Sequence, residues 1–302
     1  MSTAGALSSP HPAVIDLFSR RRLTLIAGPC VAESYELCRD LAQTLKAICA
    51  AHAVGYIFKA SFDKANRTAH TAFRGHGMQR GLELLARVRQ DVAVPVLTDI
   101  HHPEQAAPVA AAVDVLQIPA FLCRQTDLLE AAARTGCPTN VKKGQFLAPE
   151  DMRHVVAKYR ATASHVLPAP ELQSLVAVTE RGSCFGYHNL VVDMRGLVTL
   201  REVTDAPVIF DATHSVQRPS AGDGRSLGDR HMAPVLARAA AAVGIDGLFC
   251  EVHFNPDEAL SDGPNSLDIP MFEALLGTVC RIVAAVQGGT AEPAPTNPQA
   301  CG

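Results

Sequence analysis

Five cations stand out because each ends or closely follows a short apolar run: Lys59, Lys64, Arg67, Lys142 and Arg181. Brought together, they would form a cationic floor for phosphates and carboxylates, with guanidinium forks for bidentate contacts and ammonium groups as point charges. Other runs finish in Asp99 with His101, Gln117, Glu180, Asp211 with His214, and Glu251 with His253. Cys30 closes the first run and Asp262 lies a short way beyond the last, so Cys30, His214, Glu251 and Asp262 could surround a divalent ion. One thiolate, one imidazole and two carboxylates mix soft and hard ligands, which favours zinc, iron or manganese over magnesium. Spacing alone does not select this set. His101, His102 and His253 are rival ligands, and Cys30 taken alone reads as a small core residue.

These groups need a scaffold, and composition bounds it. The chain has 302 residues, 48% hydrophobic and 19% charged, enough for one large domain or two small ones. A net charge of -3 argues against nucleic acid or an anionic membrane as partner. No run approaches the ~18 apolar residues of a membrane helix, and no leader-like apolar segment opens the chain, so a cytoplasmic location is expected. Nine scattered cysteines without a C-x-x-C pair argue against a disulfide scaffold.

Eight runs nearly continuous in Val, Ile, Leu and Phe occupy residues 23–30, 56–62, 95–100, 115–121, 139–146, 175–182, 207–214 and 247–253. Such runs suit strands buried on both faces. Between them, residues 36–52, 78–90 and 126–136 space apolar side chains three and four apart, and Gly136 is placed to end its helix. The alternation predicts a single (β/α)8 TIM barrel over residues 21–287, between a flexible N-terminal arm (1–20) and a disordered C-terminal tail (288–302). An open doubly wound sheet is the rival architecture, but no G-x-G-x-x-G turn follows the first run. In a barrel the polar run ends would converge on one mouth.

The segment FKASFDKANRT (58–68) resembles the hallmark of the 3-deoxy-D-manno-octulosonate 8-phosphate synthases, where the related heptulosonate synthases carry a K-P-R-T-S type sequence. IAGPCVAES (26–34), TDIH (98–101), IPAFLCRQTDLL (118–129), NVKKGQF (140–146), ERGSCFGYHNLVVDMR (180–195), FDATHSVQ (210–217) and ALSDGPN (259–265) match that family in the same order. The resemblance implies a TIM-barrel homotetramer that condenses phosphoenolpyruvate with D-arabinose 5-phosphate and water, a step in making the lipopolysaccharide sugar. It implies that Lys59, Lys64, Lys142 and Arg181 hold phosphoenolpyruvate, and that Asn66, Arg67, Thr68, Asp99 and Gln117 meet the sugar phosphate. Arg124 would reach a neighbouring subunit's site, and the catalytic set would be Lys59, Lys64, Lys142, Asp99 and His214. Cys30, His214, Glu251 and Asp262 match the ligands of the metal-dependent class, whose metal-free counterpart carries Asn at the position of Cys30. Residues 161–174 look longer than the family's connection, and 218–231 follows its mobile loop only loosely.

Overall fold

Strand-forming runs alternate with amphipathic helices throughout the computed structural model, which describes residues 11–167, 175–222 and 225–288. The strands are β1 (Thr24–Gly28), β2 (Gly55–Lys59), β3 (Val96–Asp99) and β4 (Val115–Ile118). They continue as β5 (Thr139–Lys142), β6 (Val176–Glu180), β7 (Val208–Asp211) and β8 (Gly247–Glu251). All pair in parallel, and the sheet closes with β1 between β2 and β8, so the architecture is the (β/α)8 barrel.

Each expected run overlaps a strand and extends past its end. Residues 119–121 and 143–146, for example, lie beyond β4 and β5. Those residues include side chains buried against the barrel without joining a ladder, so hydrophobicity alone cannot find the strand end.

The helices are α1 (Pro12–Phe18), α2 (Tyr35–Ala51), α3 (Met78–Val92), α4 (Ala106–Ala110) and α5 (Thr126–Arg134). Then come α6 (Met152–Val166), α7 (Arg195–Thr204), α8 (Ala233–Val243) and α9 (Ile269–Gly288). Local chemistry sets their ends. The Ser34 hydroxyl caps α2 by accepting from the Leu37 N–H at 3.1 Å. Gly136 takes φ 71° just after the Thr135 cap of α5, a left-handed turn that Gly enters without strain. By length and composition α9 could cross a membrane, yet Phe272, Leu275, Leu276 and Val279 bury one face of it in the barrel core.

At the chain's edges the structure alters one expectation. Part of the expected flexible arm is the helix α1, which buries Val14 and Leu17; residues 1–10 lie outside the described residues. The physical reason is the open barrel end, whose apolar lining needs a cover. The expected tail beyond Gly288 also lies outside the described residues, as do 168–174 of the long connection, whose first residues simply extend α6. In the 218–231 segment, Gln217–Gly222 pairs antiparallel with Arg225–Gly228 as a hairpin.

Strand alternation explains where the chemistry sits. Side chains two apart share a face. On the inner face Ile26, Ile57, Leu97, Val115, Ala177, Ile209 and Phe249 form one apolar layer with Val14 and Leu17. Two residues further along these strands come Gly28, Lys59, Asp99, Gln117, Thr179, Asp211 and Glu251, while β5 contributes Asn140 and Lys142. A polar layer therefore lies directly above an apolar one. At Gly28 a Cβ would stand 2.1 Å from the Lys59 carbonyl, so β1 contributes backbone alone to that layer.

Leu17 is wholly buried in the lower layer. Leu17→Ala is expected to lower unfolding free energy by about 2–5 kcal/mol while leaving turnover per folded molecule unchanged. Urea titration with parallel activity measurement checks this; activity lost ahead of stability would contradict the separation of the layers.

Candidate active site

A cavity of about 1070 Å³ opens above the polar layer. Its walls include Lys59, Lys64, Asn66, Arg67, Thr68, Asp99, Gln117, Lys142, Arg181, His214 and Asp262. Cys30 and Glu251 are buried next to it, touching the lining residues Ser261, Asp262 and Lys59. Arg124 lies apart from this chain's cavity: it is exposed, and its carbonyl accepts from Lys158 at 3.4 Å.

The expected cationic floor is instead an alternation of charges. Lys59, 1% exposed, places Nζ 3.2 Å from Glu251 Oε1 and donates to the Cys30 carbonyl at 3.0 Å. Lys142 donates to Asp211 Oδ2 at 2.6 Å and lies 3.6 Å from the centre of the Phe249 ring. Lone buried ammonium groups would be too costly, so each carries a carboxylate.

The site's charges set one another. Burial alone would raise the Glu251 carboxyl, but His214, Lys59, Lys64 and Lys142 outweigh it and hold the group at about 2. Asp211 is likewise held well below the usual carboxylate range, burial being overcome by His214 and Lys142, and Asp99 by Lys59, Lys64 and His101. Burial lowers Lys142 despite Asp211, whereas in Lys64 the neighbouring Cys30, Glu251, Asp99 and Asp262 overcome burial and raise the amine.

A compact donor cluster lies at one side. Single ligand atoms of Cys30, Glu251 and Asp262 fall within 4.8 Å of one another. His214 Nε2 stands next to them, 3.5 Å from Glu251 Oε1 and 3.9 Å from Asp262 Oδ2. The Nδ1 atom of the same ring faces Asp211 Oδ2 at 2.8 Å, an orientation in which a neutral ring would present its Nε2 lone pair to the cluster. Glu251 Oε2 is buried with no hydrogen-bond partner among the described residues. Burial, then the Glu251 charge, pushes the Cys30 thiol well up, outweighing the opposite pull of Lys64 and Lys59. Two carboxylates, an imidazole lone pair and a sulfur converging with one orphaned oxygen fit a cation. The rival histidines lie elsewhere. His253 Nδ1 contacts the Asn255 carbonyl at 2.6 Å with its Nε2 toward Glu33, and His101 packs edge-on against Phe62.

The loop after β8 carries Asp262 in the left-handed region (φ 47°) and is gripped from several sides. Arg67 donates to the Phe73 carbonyl at 2.8 Å and the Leu260 carbonyl at 2.7 Å. Arg230 reaches the Gly263 carbonyl at 3.0 Å, and Gln217 Nε2 donates to Asp262 Oδ1 at 3.3 Å. Gln217 Oε1 accepts from Arg181 Nη2 at 3.1 Å, leaving Arg181 Nη1 buried and unpartnered among the described residues. That unused donor edge suits an anionic ligand.

Sequence reasoning passed over several members. Ser61 donates to Asp99, and Asn140 and Thr179 belong to the polar layer. Lys143 faces the opposite side from Lys142: it is fully buried, with Nζ 3.6 Å from Glu180 Oε1, and donates to the Gly144 and Leu147 carbonyls. The period-two alternation distinguishes the two lysines once the strand register is known.

The model of the DAHP synthetase I family matches residues 19–285. A 2-dehydro-3-deoxyphosphooctonate aldolase of Desulfotalea psychrophila is 50% identical over 285 residues, covering 94% of this chain and 98% of its own. The chain belongs to this family. Proteins of the same name from a Synechococcus strain and from Delftia acidovorans are 54% and 55% identical. The Synechococcus match covers 87% of this chain and 89% of the relative, the Delftia match 86% and 90%.

The depressed carboxylates link stability to pH. Asp99, Asp211 and Glu251 have folded values below their unfolded ones, so their contribution is complete above the ordinary carboxylate value of about 4. It is lost as pH falls toward the folded values, at about 1.4 kcal/mol per pH unit for each group. Urea midpoints measured at pH 5, 4 and 3 should fall steeply; a flat profile would refute ionised pairs in the barrel mouth.

Proposed function

We infer that the protein condenses phosphoenolpyruvate with D-arabinose 5-phosphate and water, giving 3-deoxy-D-manno-octulosonate 8-phosphate and inorganic phosphate, for lipopolysaccharide sugar synthesis. The observation that carries the reading is the Lys64–Thr68 segment (KANRT) on the wall of a cavity floored by Lys59 and Lys142. High identity to 2-dehydro-3-deoxyphosphooctonate aldolases along nearly the whole chain supports it.

In this proposal Lys59, Lys64, Lys142 and Arg181 hold the phosphate and carboxylate of phosphoenolpyruvate, and Asn66, Arg67, Thr68, Asp99 and Gln117 hold the sugar phosphate. C3 of phosphoenolpyruvate attacks the sugar aldehyde, water adds at C2, and the hemiketal phosphate expels inorganic phosphate. Fixed charges around the reacting atoms contribute by orientation and electrostatic stabilisation. Lys59, Lys64, Lys142, Asp99 and His214 are the catalytic set. The site would be completed in a cytoplasmic homotetramer, where Arg124, exposed and away from its own cavity, would meet the sugar phosphate of an adjacent subunit.

We further propose the metal-dependent class: Cys30, His214, Glu251 and Asp262 hold one divalent ion, zinc, iron or manganese. When bound, such an ion supplies Lewis-acid polarisation or orientation of the reactants. The orphaned Glu251 Oε2 and the cluster within 4.8 Å support this assignment.

A phosphate-release assay should find arabinose 5-phosphate strongly preferred over erythrose 4-phosphate, the substrate of a heptulosonate synthase. Equal or faster use of the four-carbon sugar would refute the substrate assignment. Separately, elemental analysis of purified protein should find about one divalent ion per chain. Chelation should abolish turnover, with recovery on adding zinc, manganese or iron(II). Cys30→Ala should lose the ion while keeping its fold by circular dichroism. Full activity at verified negligible metal content would overturn the metal proposal and leave the condensation intact.

A further inference from the structure

Four neighbouring strands each contribute one polar inner-face side chain that bonds sideways to the next. The Thr179 hydroxyl donates to Asn140 Oδ1 at 2.7 Å, and Asn140 Nδ2 donates to Gln117 Oε1 at 2.9 Å. Gln117 Nε2 donates in turn to Asp99 Oδ1, and the Ser61 hydroxyl donates to Asp99 Oδ2 from the far side. Ladder register underlies the chain, with Asp99 opposite Gln117 and Gln117 opposite Asn140.

The polarity of this chain is forced. An ionised carboxylate only accepts, so Gln117 must turn its amino group to Asp99 and its carbonyl to Asn140. Asn140 must then offer its own amino group, which leaves its carbonyl for the Thr179 hydroxyl. Asn140 and Thr179 are fully buried and do not line the cavity, whereas Gln117 and Asp99 do.

We propose that Asn140 and Thr179 are positioning residues for the sugar-phosphate side of the site, locking the Gln117 amide so that the cavity meets its amino edge beside the Asp99 carboxylate. A donor next to an acceptor is the pattern that a substrate hydroxyl needs. This rests on the substrate reading above. With Asn140 removed, the Gln117 carbonyl loses its donor and the amide is held by Asp99 alone, so its amino edge is no longer fixed toward the cavity.

The test compares Asn140→Leu, Thr179→Val and Thr179→Ser by steady-state kinetics, well below each variant's Tm. Turnover of phosphoenolpyruvate and arabinose 5-phosphate by the unmodified enzyme tests the substrate reading independently. Asn140→Leu should lower kcat/KM for arabinose 5-phosphate about tenfold or more, with KM for phosphoenolpyruvate shifted less than about twofold. Thr179→Val should act in the same direction more weakly, and Thr179→Ser, which keeps the donor, should match the unmodified enzyme. If Asn140→Leu does not fold, the Thr179 pair decides. A lowered Tm with unchanged sugar-phosphate kinetics, or equal losses for both substrates, would reduce the chain to scaffolding and overturn the proposal.

Discussion

Two buried ion pairs, Lys59 with Glu251 and Lys142 with Asp211, set the terms for the rest of the molecule. An ammonium group inside a closed barrel has lost its water, and only a carboxylate at hydrogen-bond distance keeps it charged at tolerable cost. Each lysine therefore fixes the place of an acid on the next strand but one around the barrel wall. Asp211 is shared with His214, and Glu251 is shared with His214 and Lys64. The mouth is thus close to charge balance before any ligand enters. An anionic substrate adds negative charge, which the unused Arg181 edge can meet in part. A divalent ion beside Glu251 and Asp262 would supply more.

This arrangement depends on the layer beneath it. Ile57, Leu97, Ile209 and Phe249 fill the barrel interior below the charges and, with α1 beneath them, exclude water from that side. The apolar layer makes the charges strong by keeping them dry, and Phe249 lies against both lysine ammonium groups. Helices outside the barrel add the larger core, which holds the strands in register without touching the chemistry. The loop carrying Asp262 is held by contacts from Arg67, Gln217 and Arg230 rather than by a ladder. Those side chains come from the loops following β2 and β7, so the mouth is assembled from several crossings of the chain at once.

Much of this was legible in the residues alone. Doubly buried parallel strands must be apolar along their length, so eight runs separated by helical patterns define the barrel without any contact being known. Lys59, Lys142, Asp211 and Glu251 stand out because an ionisable group ending such a run is anomalous unless it serves a site. The matching segments also pointed to the family and, through that resemblance, to the expected donor set, whereas spacing alone left rival histidines open. Strand ends, the helix inside the expected arm and the hairpin after β7 were not legible. They depend on what each segment packs against, not on its own propensity.

The tertiary structure alone decided the pairing of charges. Lys142 and Lys143 are adjacent and chemically identical, yet strand alternation sends one into the barrel mouth and the other into a buried contact with Glu180. Asn140 and Thr179 look like ordinary strand residues until ladder register sets them beside Gln117, where they become links in a chain of fixed polarity. Cys30 and Asp262 are far apart along the chain, and only barrel closure between β1 and β8 brings Sγ and Oδ2 to 3.3 Å. Residue type fixes what a group can donate, accept or ligate; distance and desolvation decide whether it does, and both arise only when the strands close on themselves.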